Sequence, residues 1–446
     1  MEIKAFKAWR FDKKVVGDVG SCIAPPYDVI NERQQAALYK KNPFNIVRID
    51  KGKEKPSDNK KSNVYTRAGE YLSKYISEGA LRQDEQPNLY AYIQNFKAGK
   101  ASFERSGFIA LGKLEKFGTG VRPHEKTLDG PKADRLKLTI ATGSQFGQIF
   151  MLYDDPKQVA DRIIKKAVKG KALVNVVDDE KVRHRLFAIT SAAEIAAITK
   201  MMKNKATVIA DGHHRYETAL NYYELTKNPN AQWQMMSFVN MRNEGLVILP
   251  THRLVGNLKK FSLEKLLSGM MGDFALARMN FDNAKSKASA RKAMFELMGQ
   301  IFEDGKTAFG IYAADGYFYV AWFKNAKLME KLAGKMSKAW RGLDVSILHK
   351  VILEKGLGIG EKQLAAESNI EYLKDVGDVV DKAIAAVDKG DKQVVFFMNP
   401  TRIEQVQKVA AAGEKMPQKS TFFHPKIFTG LTINIIEEEN SKKQRR

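Results

Sequence analysis

An acid, two histidines and an arginine crowd one turn in the stretch TVIADGHHRYETALNYY, residues 207–223 of a 446-residue chain with only seven histidines. The apolar opening predicts a buried strand and the residues after Arg215 predict a helix. Asp211, Gly212, His213, His214 and Arg215 therefore fall in the strand-to-helix turn. Such a turn presents the helix's first N–H groups, which carry partial positive charge and attract an anion. Gly212 permits a left-handed backbone and close approach by a ligand. Arg215 offers a planar fork for phosphate oxygens, and the histidines add donors. Asp211 suits a phosphate site only if it holds a histidine, a magnesium ion, or a substrate amine or hydroxyl; a plain helix cap is the competing reading. His213 and Glu217 share a helical face four residues apart. HHRYE is nonetheless not the H-E-x-x-H pattern, so a direct protein metal site ranks below phosphate binding.

Three further segments carry chemistry. VRPHEKT (121–127) sets His124 and Glu125 after a proline that fixes the local backbone, although a surface pairing of Glu125 with Lys126 is the plainer alternative. GEKMPQKSTFFHPK (413–426) brings a lysine, two hydroxyls and a histidine at Lys419, Ser420, Thr421 and His424. APPYDVI (24–30) has a Pro-Pro break and places Asp28 to start the next element. Together the clusters supply a carboxylate base, phosphate donors and hydroxyl donors, the inventory of phosphoryl transfer.

The elements that must position these residues follow from periodicity. Helices are predicted at 31–40, 64–78, 156–169 and 191–203, and strands at 89–96, 105–114, 238–241 and 245–250. The chain then restarts, with helices at 262–271, 284–303, 344–354, 374–388 and 401–412. Two strands split by Asp315-Gly316 predict a hairpin. The run QVVFFMN and the last element, TGLTINIIE, read as strands. The length predicts two domains, 1–255 and 256–446, in an α/β (α+β) fold. The single cysteine, Cys22, forms no internal disulfide. No secretory signal or membrane-length apolar run is apparent, so a cytoplasmic protein is expected. The net charge of +23 comes from scattered lysines and a basic tail. It is read as a wetted surface with an electropositive cleft in preference to a nucleic-acid interface.

APPYDVI, RPHEKT, ADGHHRYETAL, LPTHRLV and MPQKSTFFHPK, in that order, resemble the family catalogued as domain of unknown function 1015. The P-H-E motif, the later D-G-H-H-R turn and the terminal loop are also similar to the archaeal free serine kinases. That resemblance implies a ParB/sulfiredoxin-like nucleotide-binding core, with an N-terminal extension and an insertion near 131–200. It also implies a C-terminal α/β domain that returns a loop to the active site. It implies phosphoryl transfer between a nucleotide, ADP or ATP with Mg2+, and L-serine or O-phosphoserine. Glu125 would be the base, and Asp211, His214 and Arg215 would line the substrate and phosphate site. Lys419, Ser420 and Thr421 would close over the phosphates. A ParB-like nucleotide switch that binds DNA and a phosphoserine phosphatase are the alternatives. A sulfiredoxin-like reaction would need a reactive cysteine in the phosphate motif.

Overall fold

The computed structural model describes residues 1–118, 120–125 and 129–436. Lys126 and the basic tail from 437 lie outside them. The chain forms two compact units. One runs from Met1 to Pro123, continues to Val247 and takes the chain up again from Pro425; the other holds His124 and Glu125 with Ile248–His424. Among the described residues no helix is long and apolar enough to cross a membrane.

In the first unit, nine strands of the described residues make one mixed sheet. Across it run Val121–Arg122, Thr207–Asp211, Ile149–Tyr153, Trp233–Asn240, Ala101–Lys113, Leu89–Ala98, Arg183–Ile189 and Val174–Val177. Ile3–Lys4 pairs alongside Ala101–Lys113. Most neighbours are antiparallel. Thr207–Asp211 lies parallel to Val121–Arg122, however, and Trp233–Asn240 lies parallel to Ile149–Tyr153. Segment 131–200 thus supplies three of these strands, one of them in the middle of the sheet.

The two faces of this sheet differ in chemistry. Residues paired across neighbouring strands share a face, and successive residues alternate. One face carries Ala91, Ile93, Phe108, Ala110, Met151, Phe187, Ile209, Met236 and Phe238 in a continuous apolar core. The helices Val159–Ala167 and Ala192–Met202 contribute Ala160, Ile164, Ile198 and Met202 to that core. The opposite face carries Tyr92, Gln94, Arg105, Phe150 and His184, with Gln94 directly opposite both Arg105 and His184. The N-terminal helices Glu32–Lys41, Val47–Asp50 and Val64–Ser77 form a separate core with Leu138, Phe146 and Ile433. Asn31 and Asn63 start two of these helices with capping boxes, as good N-caps do.

In the second unit, six strands of the described residues make an antiparallel sheet. Its order is Phe274–Asn280, Tyr317–Phe323, Ala308–Tyr312, Val394–Met398, Thr251–Val255, Ile370–Lys374. Helices Ala284–Glu303 and Val379–Asp388 bring Met294, Met298, Ile384 and Val387 into one core with Tyr312, Phe318, Val395 and Phe397. The hairpin forms around Asp315-Gly316 as expected.

Several elements depart from the sequence reading. Asp129–Thr142 is a helix that periodicity did not flag, because its Gly-Pro opening reads as a turn. Thr251–Val255 is a strand although His252 and Arg253 interrupt its apolar pattern. The helix expected from 374 begins at Val379, since Ile370–Lys374 is a strand. Of the described residues of TGLTINIIE, Asn434–Ile435 pairs as a strand, against Ser144–Gln145.

Gly107 lies where the sheet leaves no room for a side chain. A Cβ there would meet the Phe238 carbonyl oxygen at 2.5 Å and Val239 Cγ2 at 2.8 Å. Gly107→Ala is expected to lower the unfolding free energy by about 1–3 kcal/mol, as overpacking against backbone does. Urea titration of parent and variant measures it; equal midpoints would contradict the crowding.

Candidate functional site

The Asp211 carboxylate owes its position to an irregularity in the sheet. Ile209 pairs with Met151 and Asp211 with Phe150, the register shifting between them. Met151 and Phe150 point to opposite faces, so the shift moves Asp211 off the apolar face that holds Ile209. It joins the polar face of Gln94 and Arg105. The next residue, Gly212, sits at φ +90°, and the helix His213–Thr226 starts from it. A residue with a Cβ would be strained there and would press on the Arg215 guanidinium, 3.0 Å away.

Asp211 is the centre of an ion cluster. Its Oδ1 accepts the Gly212 N–H at 3.0 Å, and its Oδ2 lies 3.1 Å from Lys426 Nζ and 3.8 Å from Arg215 Nη2. Burial alone would raise this carboxyl, but Lys426 and Arg215, with His213 beyond, hold it well below the usual carboxylate range. Arg215 Nη1 donates to the Gln148 carbonyl. Lys426 arrives on the C-terminal segment, which is bound to the sheet's polar face. Gln94 Nε2 donates to the Lys426 carbonyl at 3.0 Å, and the buried Arg105 donates to the Pro425 carbonyl and to Gln94. Burial lowers the Arg105 guanidinium to about 10, against the pull of Tyr92 and Asp211. His213 is buried at this turn and His214 half-buried.

The first unit also places APPYDVI. Tyr27 lays its ring 3.8 Å from the Arg135 guanidinium, while Asp28 is exposed. Arg135 Nη1 donates to Asp50 Oδ1 at 2.8 Å, and Arg135 also pairs with Asp134. Glu217, half of the weaker metal reading, accepts from Lys132 at 3.0 Å. No group of three or more His, Cys, Asp or Glu able to hold a metal occurs among the described residues. Cys22 is buried, and burial pushes its thiol up to about 12. It stays protonated and is no nucleophile.

In the second unit the other motifs meet. The Glu125 backbone bridges to Met416, and Glu125 Oε1 accepts the Lys419 N–H at 3.0 Å. His124 is buried, with Nε2 2.8 Å from Thr421 Oγ1. Ser420 Oγ donates to the Pro417 carbonyl at 2.5 Å. Both hydroxyls therefore have partners within the assembly of loop and His124, whereas the Lys419 side chain is exposed. Lys419 is at φ +57°, a left-handed conformation that costs a lysine about 1–2 kcal/mol. That conformation is held from both sides: its N–H by Glu125 and its carbonyl by Arg253 Nη2 at 3.0 Å. Arg253, from LPTHRLV, is buried against the Tyr372 ring; burial lowers it to about 10, and Tyr372 and Glu125 oppose that shift. His424 is buried near Phe422.

Residues 3–346 match the family described as "Protein of unknown function (DUF1015)". The chain belongs to this family. No curated protein matches the DUF1015 chain. Solved structures similar to it include a conserved hypothetical protein from Pyrococcus furiosus, at 13% identity and a TM-score of 0.33. That match covers 71% of this chain and 97% of the other. A free serine kinase mutant in complex with AMP matches at 13% identity and a TM-score of 0.32, covering 72% and 98%. SbnI with a C-terminal truncation, from Staphylococcus aureus, matches at 8% identity and a TM-score of 0.33, covering 76% and 92%.

Sequence reasoning missed Lys426, Arg105, Asp50, Arg135 and Arg253 in this DUF1015 chain. Lys426 stood in the quoted HPK run and could have been found there as the partner that Asp211 needed. The cluster has a signature in pH. The Asp211 carboxyl is lower in the folded chain than its ordinary 3.8, so its contribution is present above about pH 4 and lost as pH falls below that. Lys426→Met should cost about 1–3 kcal/mol at pH 7, the scale of a charged hydrogen bond. The difference from the parent should shrink below about pH 4. Chemical denaturation across that range tests it, and a pH-independent difference would count against the assignment.

Proposed function

We propose that this protein is a nucleotide-dependent phosphotransferase, moving a phosphoryl group between ADP or ATP and the hydroxyl of L-serine, or back from O-phosphoserine. The observation that carries this reading is the convergence of Lys426 and Arg215 on Asp211 at the Gly212 turn. Two side-chain cations and the positive end of a helix face a single carboxylate there. The cations and the helix N-terminus together attract phosphate oxygens. Asp211 then acts as the group that orients both cations.

The remaining roles come from the motif resemblance. Glu125 takes the hydroxyl proton, His214 lines the substrate side, and Gly212 and His213 offer backbone donors to phosphate. The same resemblance assigns Lys419, Ser420 and Thr421 to the phosphates. Magnesium, entering with the nucleotide, would neutralise phosphate charge. A ParB/sulfiredoxin-like core in the first unit belongs to the same reading.

Calorimetric titration with ADP and ATP in magnesium tests the phosphate site. Arg215→Ala should weaken nucleotide binding at least about tenfold with the fold intact, and Arg215→Lys should restore only part, since an ammonium cannot act as a fork. Unchanged affinity in the alanine variant would remove the site. Glu125→Gln keeps the shape and removes the base. Turnover between nucleotide and serine should fall by about 10²–10⁴-fold while nucleotide affinity holds. A parent protein that transfers no phosphate to or from serine would end the serine assignment.

A further inference from the structure

A narrow cavity of ≈ 50 Å³ in the first unit is lined by Asp50, Arg135, Arg215, Thr218, Ala219 and Tyr222, among others. That volume admits a few water-sized groups, enough for a very small molecule and far too little for a nucleotide. Its charged lining residues, Asp50, Arg135 and Arg215, belong to two ion clusters. In one, Arg135 is the cation between two carboxylates, Asp50 at 2.8 Å and Asp134 at 2.6 Å. Those three charges leave one negative charge over. Arg215, which also lines the cavity, lies 3.8 Å from the Asp211 carboxylate that Lys426 approaches at 3.1 Å.

The unsatisfied hydrogen-bonding capacity points the same way. Asp50 is 7% exposed, its Oδ1 accepts from Arg135, and its second oxygen accepts from no side chain among the described residues. Burial raises the Asp50 carboxyl, against the pull of Arg135 and Arg215, so a cation beside it would be stabilising. A guanidinium has five N–H donors, and among the described residues Arg215 gives one hydrogen bond, to the Gln148 carbonyl. It can serve a ligand in the cavity and an anion at the Gly212 turn together. Tyr27, from APPYDVI, fixes Arg135 from its ring face.

We propose that this cavity binds a small zwitterionic α-amino acid, its ammonium on the second oxygen of Asp50 and its carboxylate on Arg215. A free phosphate fits less well, because it would meet the Asp50 carboxylate with no cation of its own. The proposal deepens the phosphotransferase reading and rests on it only for what happens to the side-chain hydroxyl. It also gives the N-terminal extension a task, since Asp50 selects the substrate's amine.

The experiment is calorimetric titration of the full chain with L-serine, 3-hydroxypropionate, ethanolamine and inorganic phosphate, with and without ADP. L-Serine should bind, and the two analogues lacking one charge should bind at least about tenfold more weakly, as loss of a charged hydrogen bond implies. Asp50→Asn and the cavity-filling Ala219→Leu should each reduce serine affinity by about tenfold or more. Ala219→Leu leaves every charge in place and so separates lost space from lost charge. Phosphate or 3-hydroxypropionate binding as tightly as serine would overturn the proposal in favour of a plain anion site. So would absence of serine binding at millimolar concentration. Serine binding that depends on Asp50 in a protein that transfers no phosphate would uphold this site and remove the phosphotransferase reading. Phosphoryl transfer with serine affinity unaltered in both variants would remove the site and keep that reading.

Discussion

A carboxylate turned out of an apolar core must be neutralised, and much of the first unit is arranged around that requirement at Asp211. The shifted register with Ile149–Tyr153 puts Asp211 on the polar face, where burial would penalise its charge. Lys426 and Arg215 compensate it, and each is fixed in turn by backbone carbonyls or by the sheet. For Lys426 to arrive, the C-terminal segment must lie on the face that carries Gln94 and Arg105. One charge therefore links the bulged strand, the helix after Gly212 and the end of the chain. A carboxylate so held is a poor proton acceptor near neutrality but a good anchor for cations, and the cations are what an anionic ligand meets.

The second unit solves a different problem by backbone means. Glu125 has no arginine or lysine paired to it among the described residues; its Oε1 takes a peptide N–H. That N–H points at it because Lys419 is left-handed, and Arg253 secures the carbonyl on the other side of the same residue. A single strained residue thus connects a buried arginine to an accessible carboxylate. Strain of this kind persists only where the surroundings over-determine it. Here two hydrogen bonds do so, with Thr421 bound to His124 a short way along.

Local pattern in the sequence determined a good deal. The capped helices after Asn31 and Asn63, the Asp315-Gly316 hairpin and the strand-Gly-helix turn at 207–226 each depend on neighbouring residues, and each formed. Asp211, Gly212 and Arg215 could be grouped because one turn contains them. His124–Glu125 and Lys419–Thr421 were visible as polar clusters, although their meeting was not a local property. The helix Asp129–Thr142 and the strand Thr251–Val255 were hidden by a Gly-Pro start and by charged residues in a short run.

Only the tertiary structure decided which charges balance which. Lys426 reaches Asp211 across 215 positions of sequence, and Arg135 reaches Asp50 across 85. The face on which Asp211 lies depends on a register shift against a partner strand, which Thr207–Asp211 alone does not encode. Periodicity reports how a residue relates to its own element. Charge compensation and strand register act through space, between elements that sequence order leaves far apart, so they exist only once the chain has folded.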